Sequence, residues 1–138
     1  MMKRGKKQDN KAGQFAGMGI DIVDIPRFRK TIETRGGRFI NRIFLPSEKK
    51  YCGAKPNSWI HYAGRFAAKE AVAKAFGTGI GRELGWLDIE IISSDSKAPV
   101  VKLAPRAKRL IRIRRVKNVL VSISHTHAYT AAVALLMS

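Results

Sequence analysis

Cysteine is almost missing from this chain, since Cys52 is the only one among 138 residues. A single cysteine excludes an internal disulfide and any zinc site built from several thiolates. No apolar run approaches the roughly 20 residues that span a bilayer. The basic N-terminus also lacks the apolar segment of a secretory signal. We therefore expect a cytoplasmic protein that has no membrane partner.

Negative charge is also scarce. Ten acidic residues stand against 27 Lys and Arg, which gives a net charge of +17. Such a charge attracts polyanions: nucleic acid, anionic membrane, phosphate-bearing cofactors or an acidic protein. Charge alone favours a basic RNA-associated module. However, the basic stretch 105–117 has no interleaved aromatic residues for base stacking, and the chain has no RNP1-like string.

The composition predicts one domain with a short extension. The length suits a single domain, and 45% apolar residues exclude disorder of the whole chain. Residues 1–13 are polar, carry five basic side chains and show no apolar periodicity. We interpret them as a flexible basic N-terminal extension, and residues 14–138 as the folded domain.

Apolar periodicity predicts the order of the elements. Ser58 is the expected N-cap of a long helix, and Gly77 is its expected C-terminal stop. The SSDSKAP segment is expected to form the turn of a hairpin. This order indicates one α+β domain without regular βαβ alternation. The strands are predicted at 14–25, 87–92, 100–103, 119–124 and 129–136, and the helices at 27–35, 38–44, 48–52, 59–76 and 105–116.

Asp21 is a carboxylate in the middle of the apolar run GIDIVDI. An unpaired carboxylate in an apolar strand costs several kcal/mol, so it requires a cation, a metal ion or water. The alternative is that Asp21 reaches solvent at the strand end or caps the helix that follows.

Glu70 and Lys74 lie four residues apart and therefore on one face of the long helix. The default interpretation is an ordinary ion pair worth about 0.2–0.5 kcal/mol. The alanines around them allow another backbone or a ligand to approach closely, and a glycine-rich turn follows at 77–81. Because this turn ends a helix, it is no dinucleotide fingerprint. It is a helix C-cap whose backbone amides are expected to be free for a phosphate. The alanines are Ala67, Ala68, Ala71, Ala73 and Ala75.

The three histidines form a poor metal set. His125 and His127 lack the spacing of a zinc pair, and His61 is far away in the sequence. One histidine beside a phosphate, or a structural histidine, is the better interpretation.

Three segments taken together resemble the holo-acyl-carrier-protein synthase family, the small type of 4′-phosphopantetheinyl transferase. They are GIDIVDIPRF (19–28), RFAAKEAVAKAFGTG (65–79) and SISHTHAYTAAVAL (122–135). The resemblance implies an antiparallel sheet packed against a long helix, and a homotrimer with the cofactor site between subunits. It also implies transfer of 4′-phosphopantetheine from coenzyme A to a serine of apo acyl carrier protein. Adenosine 3′,5′-bisphosphate would be released, in support of fatty acid biosynthesis.

The resemblance also implies roles for single residues. It makes Asp21 and Glu70 the Mg²⁺ ligands, which agrees with the preference of Mg²⁺ for one or two carboxylates plus phosphate oxygens. Lys74 would contact the pyrophosphate and act in catalysis with Glu70. The general base stays open between Glu70 and a metal-bound water.

Coenzyme A and the carrier protein would contact further residues of the family pattern. Arg65 and His125 match positions that bind the 3′-phosphate, and small residues on the helix are expected to let coenzyme A lie along it. The carrier protein is acidic in this family and docks on a basic first helix, placed away from the Glu70–Lys74 face. The cofactor-binding set is completed by Gly77, Gly79 and Pro99, and the docking set is Arg27, Arg38 and Arg42.

Two features depart from the family pattern. Ser96-Lys97-Ala98-Pro99 stands where relatives commonly have a glycine before the proline, and neither residues 1–13 nor the basic helix 105–117 belong to the pattern.

Two rival functions are a basic RNA-associated module and a metal-dependent phosphohydrolase that uses the same Asp and Glu. With the transferase as first hypothesis, we expect no nucleic acid partner.

Overall fold

A computed structural model describes residues 13–94 and 97–138. The predicted extension, apart from Gly13, and residues 95–96 of the predicted turn lie outside the described residues. Within the described part, no helix is both long and apolar enough to cross a membrane.

Five strands form one antiparallel sheet in the order β1-β5-β4-β3-β2. The predicted α+β fold, with an antiparallel sheet packed against a long helix, is confirmed. The strands are β1 (Phe15–Asp24), β2 (Ile89–Ser94), β3 (Lys97–Leu103), β4 (Asn118–His125) and β5 (Tyr129–Met137). The helices are α1 (Ile25–Arg35), α2 (Gly37–Ile43), α3 (Pro46–Gly53), α4 (Ser58–Ala75) and α5 (Lys108–Arg114), with 3₁₀ turns at Trp86–Asp88 and Pro105–Ala107.

Helix α4 crosses the inner face of the sheet at close range, directly over β1. A Cβ atom added to Gly19 would overlap the carbonyl oxygen of Ala71 and lie 2.7 Å from the amide nitrogen of Ala75. A Cβ atom on Gly17 would overlap the Ala75 carbonyl oxygen. The glycines of β1 and the alanines of α4 are therefore the two halves of one close helix–sheet contact.

The alanines of α4 serve packing and leave no room for a ligand. Ala67, Ala68, Ala71 and Ala73 are fully buried, and Ala75 is 3% exposed. Each belongs to the single hydrophobic core. The expectation that small residues let coenzyme A lie along this helix is therefore wrong for these five positions.

The outer face of the sheet is uncovered and apolar. Met18, Ile20 and Ile22 alternate along β1 and are 61–67% exposed, with Leu120 on β4 more than half exposed as well. Because successive side chains of a strand point to opposite faces, this row lies on the side away from α4.

Several predicted boundaries need correction. Strand β3 begins at Lys97 and not at residue 100, and β2 runs to Ser94, so strand residues occupy both ends of the segment expected to be a turn. The strand expected from residue 87 begins at Ile89, because the Asp88 carboxylate accepts the Gly85 amide at 2.8 Å and closes a 3₁₀ turn. The N-cap of α4 is Asn57 in a left-handed conformation (φ 53°), and Ser58 is already helical. The helix predicted at 105–116 is a 3₁₀ turn followed by α5, which Arg115 ends with φ 53°.

Candidate functional site

A cavity of about 420 Å³ opens where β1, α1, α2 and α4 meet, and we call it the carboxylate cavity. It brings the side chains of Asp21 and Glu70 together although 49 positions separate them in the sequence. Three phenylalanines form its apolar wall, Phe28, Phe39 and Phe66, and Tyr129 also lines the cavity.

Strand alternation places Asp21 in this cavity. Gly17, Gly19, Asp21 and Val23 share the inner face of β1, and the less exposed positions of the strand follow this period. The nearby helix cap is a different residue, since the Arg27 amide donates to Asp24 Oδ1 at 3.0 Å. The alternative that Asp21 caps the helix is therefore wrong.

Lys74 pairs with Asp21 and not with Glu70. Its ammonium group donates to Asp21 Oδ1 at 2.9 Å and to the Ile20 carbonyl oxygen at 3.1 Å. The default interpretation of an i,i+4 pair with Glu70 is therefore wrong. The lysine instead satisfies the carboxylate that the sequence left unpaired in an apolar strand.

The carboxylate of Glu70 lies in an environment that disfavours its charge. Burial raises its pKa, the neighbouring Asp21 carboxylate raises that pKa further, and Lys74 partly offsets both effects. A cation between the two carboxylates would relieve this repulsion. Two carboxylates beside open space suit Mg²⁺, which keeps several positions for phosphate oxygens and water.

Other metal and thiol chemistry has little support in residues 13–94 and 97–138. No group of three or more His, Cys, Asp and Glu is close enough there to hold a metal ion, so the histidines form no zinc trio. Cys52 is fully buried, and burial raises its pKa to about 11, which leaves an unreactive thiol.

Of the three arginines expected to dock the carrier protein, Arg27 lines the carboxylate cavity and the other two lie on the neighbouring helix α2. Arg27 is exposed and lines the carboxylate cavity itself. The expectation that it lies away from Glu70 is therefore wrong. Arg38 and Arg42 are exposed on α2, the helix that contributes Phe39 to the cavity wall.

Three residues expected to bind coenzyme A, two of them at its 3′-phosphate, lie outside the carboxylate cavity. Arg65 is 6% exposed, and its guanidinium lies 4.4 Å from the centre of the Tyr51 ring. His125 is exposed at the end of β4, opposite Thr130. Pro99 lies in β3, and β5 and β4 separate that strand from Asp21 in β1. One chain therefore does not bring these three residues to Asp21 and Glu70.

The glycine-rich turn after α4 is confirmed as a helix stop. Gly77 and Gly79 have φ angles of 79° and 63°, which side chains rarely tolerate. Their amides were expected to be free for phosphate. Instead the Gly77 amide donates to the Lys74 carbonyl oxygen at 2.9 Å, and the Gly79 amide donates to the Ala73 carbonyl oxygen at 3.1 Å.

Sequence reasoning missed the aromatic row beside Glu70. The Phe66 ring stacks on Trp86 with centroids 4.9 Å apart and tilts against Phe28 at 5.1 Å. It also missed the buried ion pair between Lys69 and Glu48. The available signal for that pair was a lysine among the buried alanines of α4, one residue away from the Glu70 face.

Known proteins resemble this chain over most of its length. The sequence pattern of the 4′-phosphopantetheinyl transferase superfamily matches residues 17–134. A holo-[acyl-carrier-protein] synthase of Chlamydia felis is 49% identical over 121 residues, which cover 88% of this chain and 96% of that protein.

Solved structures agree with this sequence similarity. The Helicobacter pylori holo-[acyl-carrier-protein] synthase in complex with coenzyme A has a TM-score of 0.76 at 37% identity, covering 86% of this chain and 98% of that one. The Bacillus anthracis enzyme in complex with coenzyme A (3′,5′-ADP) has a TM-score of 0.74 at 35% identity, covering 90% of this chain and 97% of that one.

Proposed function

The chain belongs to the 4′-phosphopantetheinyl transferase superfamily, and we propose that it is a holo-[acyl-carrier-protein] synthase whose Asp21 and Glu70 hold Mg²⁺. It transfers 4′-phosphopantetheine from coenzyme A to a serine of apo acyl carrier protein, in support of fatty acid biosynthesis, and releases adenosine 3′,5′-bisphosphate. The observation that supports the site is the meeting of Asp21 and Glu70 at one cavity, with Lys74 paired to Asp21.

The acidic and basic side chains of the site have different roles. Asp21 and Glu70 would hold Mg²⁺, which when bound neutralises charge on the pyrophosphate oxygens. The Lys74 ammonium, already 2.9 Å from Asp21 Oδ1, lies beside the same carboxylates. It is placed to stabilise the charge that grows on the leaving phosphate. The aromatic wall excludes water from one side of the cavity, which strengthens these interactions.

Mass spectrometry of apo carrier protein tests the function. Incubation with this enzyme, coenzyme A and Mg²⁺ should add the mass of one phosphopantetheine group to the carrier serine. Omitting coenzyme A or Mg²⁺ should prevent the addition. Hydrolysis of coenzyme A with an unmodified carrier would instead support the phosphohydrolase, and RNA binding without transfer would support the RNA-associated module.

A homotrimer would use the uncovered face of the sheet. Large exposed apolar patches on soluble proteins mark interaction surfaces, and the row Met18, Ile20 and Ile22 belongs to such a patch. A neighbouring copy would also bring Arg65, His125 or Pro99 to the carboxylate cavity, which one chain alone does not. Both observations support the assembly that the family resemblance implies.

Charges on the outer face should dissociate the assembly. The double substitution Met18→Glu and Ile20→Glu, which avoids the cavity-lining Ile22, should give a monomer by light scattering and greatly slow transfer, because buried unpaired charges are costly. The control is Ile113→Glu on α5, which is 62% exposed but off the sheet and should stay assembled. An intact trimer in the double variant would contradict this interface.

Removing the Lys74 charge should slow the chemical step. Lys74→Ala is expected to lower kcat by roughly 10²–10³-fold, the usual cost of one group that stabilises transition-state charge. The KM for coenzyme A should change much less. Lys74→Arg keeps the charge and should retain part of the rate. If the loss lies wholly in KM, then Lys74 only binds the substrate.

Reversing the charge of Arg27 should weaken carrier recognition. Arg27→Glu should raise the KM for the acidic carrier protein more than the KM for coenzyme A, and the effect should shrink at high salt because screening weakens the encounter. Arg29→Glu is the matched control. Arg29 lies on the same helix but pairs with Glu33 and stands over Trp59, away from the carboxylate cavity. Equal effects of both substitutions would argue against docking at Arg27.

A further inference from the structure

Lys69 and Glu48 form an ion pair in which both side chains are 0% exposed. The ammonium group uses its three donors on Glu48 Oε1 at 2.6 Å, the Ile43 carbonyl oxygen at 2.6 Å and the Trp86 carbonyl oxygen at 3.1 Å. The Lys69 charge is therefore completely satisfied inside the protein.

The carboxylate of Glu48 is satisfied in the same way. Its Oε1 accepts the Leu45 amide at 2.8 Å, and its Oε2 accepts the Ile91 amide at 3.0 Å. We call the Lys69–Glu48 pair with these four backbone groups the clamp. It joins the end of α2, the start of α3, the centre of α4, the 3₁₀ turn at Trp86 and strand β2.

Stability alone does not account for the charges. A buried ion pair is often no more stabilising than apolar residues of the same volume, because both groups lose their hydration. Burial indeed lowers the pKa of Lys69, while the charge of Glu48 opposes that effect. Unlike apolar packing, the hydrogen bonds of the pair are directional, so each N–H donor holds its acceptor in one defined position.

The acceptors of Lys69 do not line the carboxylate cavity themselves but lie on elements that carry or support one of its walls. Helix α2, which ends at Ile43, carries Phe39 on that wall. Trp86 supports the same wall from behind, because its ring stacks on Phe66, 4.9 Å away. Glu70, the next residue after Lys69, lines the same cavity. Neighbouring residues of α4 therefore supply a cavity carboxylate and the contacts that hold α2 and the Trp86 turn.

We propose that Lys69 is a positioning residue, which through the carbonyl oxygens of Ile43 and Trp86 holds Phe39 of α2 and the Trp86 ring behind Phe66 at a fixed distance from Glu70 of α4. The α2 side of this wall carries the exposed Arg38 and Arg42, so it is the side that faces an acidic carrier protein. This inference rests on the proposed function, because the wall matters for the carrier serine. Lys69 itself touches neither substrate.

The test replaces the clamp by a neutral pair of similar shape. The double variant Lys69→Met and Glu48→Gln leaves no uncompensated buried charge, and Lys69→Leu with Glu48→Gln, which is also neutral, is the second variant in case the first does not fold. Both are made in a Trp59→Phe background, which leaves Trp86 as the only tryptophan because the chain has two. Val121→Ala, a buried β4 substitution away from the clamp, is the matched control for lost stability.

We expect two coupled results. Trp86 emission should shift to the red and become more accessible to acrylamide, because the 3₁₀ turn loses its anchor while far-UV circular dichroism stays unchanged. The KM for carrier protein should rise by about tenfold or more, as small misplacements of a binding wall are costly. Coenzyme A affinity, measured by calorimetry, should stay within about twofold. Val121→Ala should lower Tm without raising the KM for carrier protein more than it weakens coenzyme A binding.

An unchanged Trp86 emission would overturn the inference. So would equal weakening of carrier-protein and coenzyme A binding in proportion to the fraction of protein that is folded, because the clamp would then be only a structural pair. A failure of the unmodified enzyme to modify the carrier is a different result, which contradicts the proposed function. Trp86 emission is measured without any substrate, so it still decides whether the clamp holds the wall.

Discussion

Alanine at Asp21 or Glu70 is expected to abolish transfer while the chain stays folded. Each substitution removes a carboxylate from the cavity surface and leaves the hydrophobic core as it is. Loss of a group that holds the charged centre of the reaction should slow transfer by at least about 10³-fold. Asp21→Ala has the additional effect of removing the ion-pair partner of Lys74.

The measurement is carrier modification at saturating coenzyme A over a range of Mg²⁺ concentrations, with circular dichroism as the check on folding. Asp24→Ala is the matched control, because Asp24 lines the same cavity but its carboxylate caps α1. Loss of that cap should cost about 1 kcal/mol of stability and leave transfer nearly intact. Transfer by Glu70→Ala or Asp21→Ala at close to the unmodified rate would contradict the metal assignment.

Local sequence patterns predicted most of the elements, since they depend on near neighbours. The periodicity of apolar residues, with element ends marked by Gly and Pro, predicts the long helix, its glycine stop and the order of the strands. The alternation of side chains along β1 also predicted that Asp21 lies on the face of the strand opposite to Ile20 and Ile22. Asp88 shows the limit of this reasoning. It alternates with apolar residues as a strand residue would, but its carboxylate prefers the Gly85 amide and bends the backbone into a turn.

The contacts that build the site could not be predicted, because they join residues far apart in the chain. Lys74 finds Asp21 across 53 positions, and Lys69 finds Glu48 across 21. In the sequence, Glu70 offers Lys74 a partner at helical spacing and Asp21 stands alone. Only the packing of α4 on β1 shows that Lys74 reaches the strand. Such choices depend on tertiary distance, which a single sequence does not contain.

The alanines of α4 carried two possible meanings, space for a ligand or close contact with another element. The glycines of β1 decide between them, since small residues on both partners are what a close helix–sheet crossing requires. Gly17 and Gly19 lie under Ala75 and Ala71 with no room for a side chain. This contact also fixes the distance between Asp21, two residues beyond Gly19, and Lys74, one residue before Ala75. The close packing and the Lys74–Asp21 ion pair therefore depend on the same pair of elements.

Gly19→Ala should consequently destabilise the fold more than any conservative change nearby. The new methyl group would overlap the Ala71 carbonyl oxygen and approach the Ala75 amide to 2.7 Å, and backbone on both sides has little freedom to move. We expect a loss of about 3 kcal/mol or more, which lowers Tm by roughly 10 °C or more for a domain of this size. The control is Gly37→Ala in α2, where an added Cβ meets nothing within 4 Å and alanine favours the helix. A thermal unfolding curve of Gly19→Ala that overlays that of Gly37→Ala would show that α4 and β1 are not in close contact, and the distance that brings Lys74 to Asp21 would then need another cause.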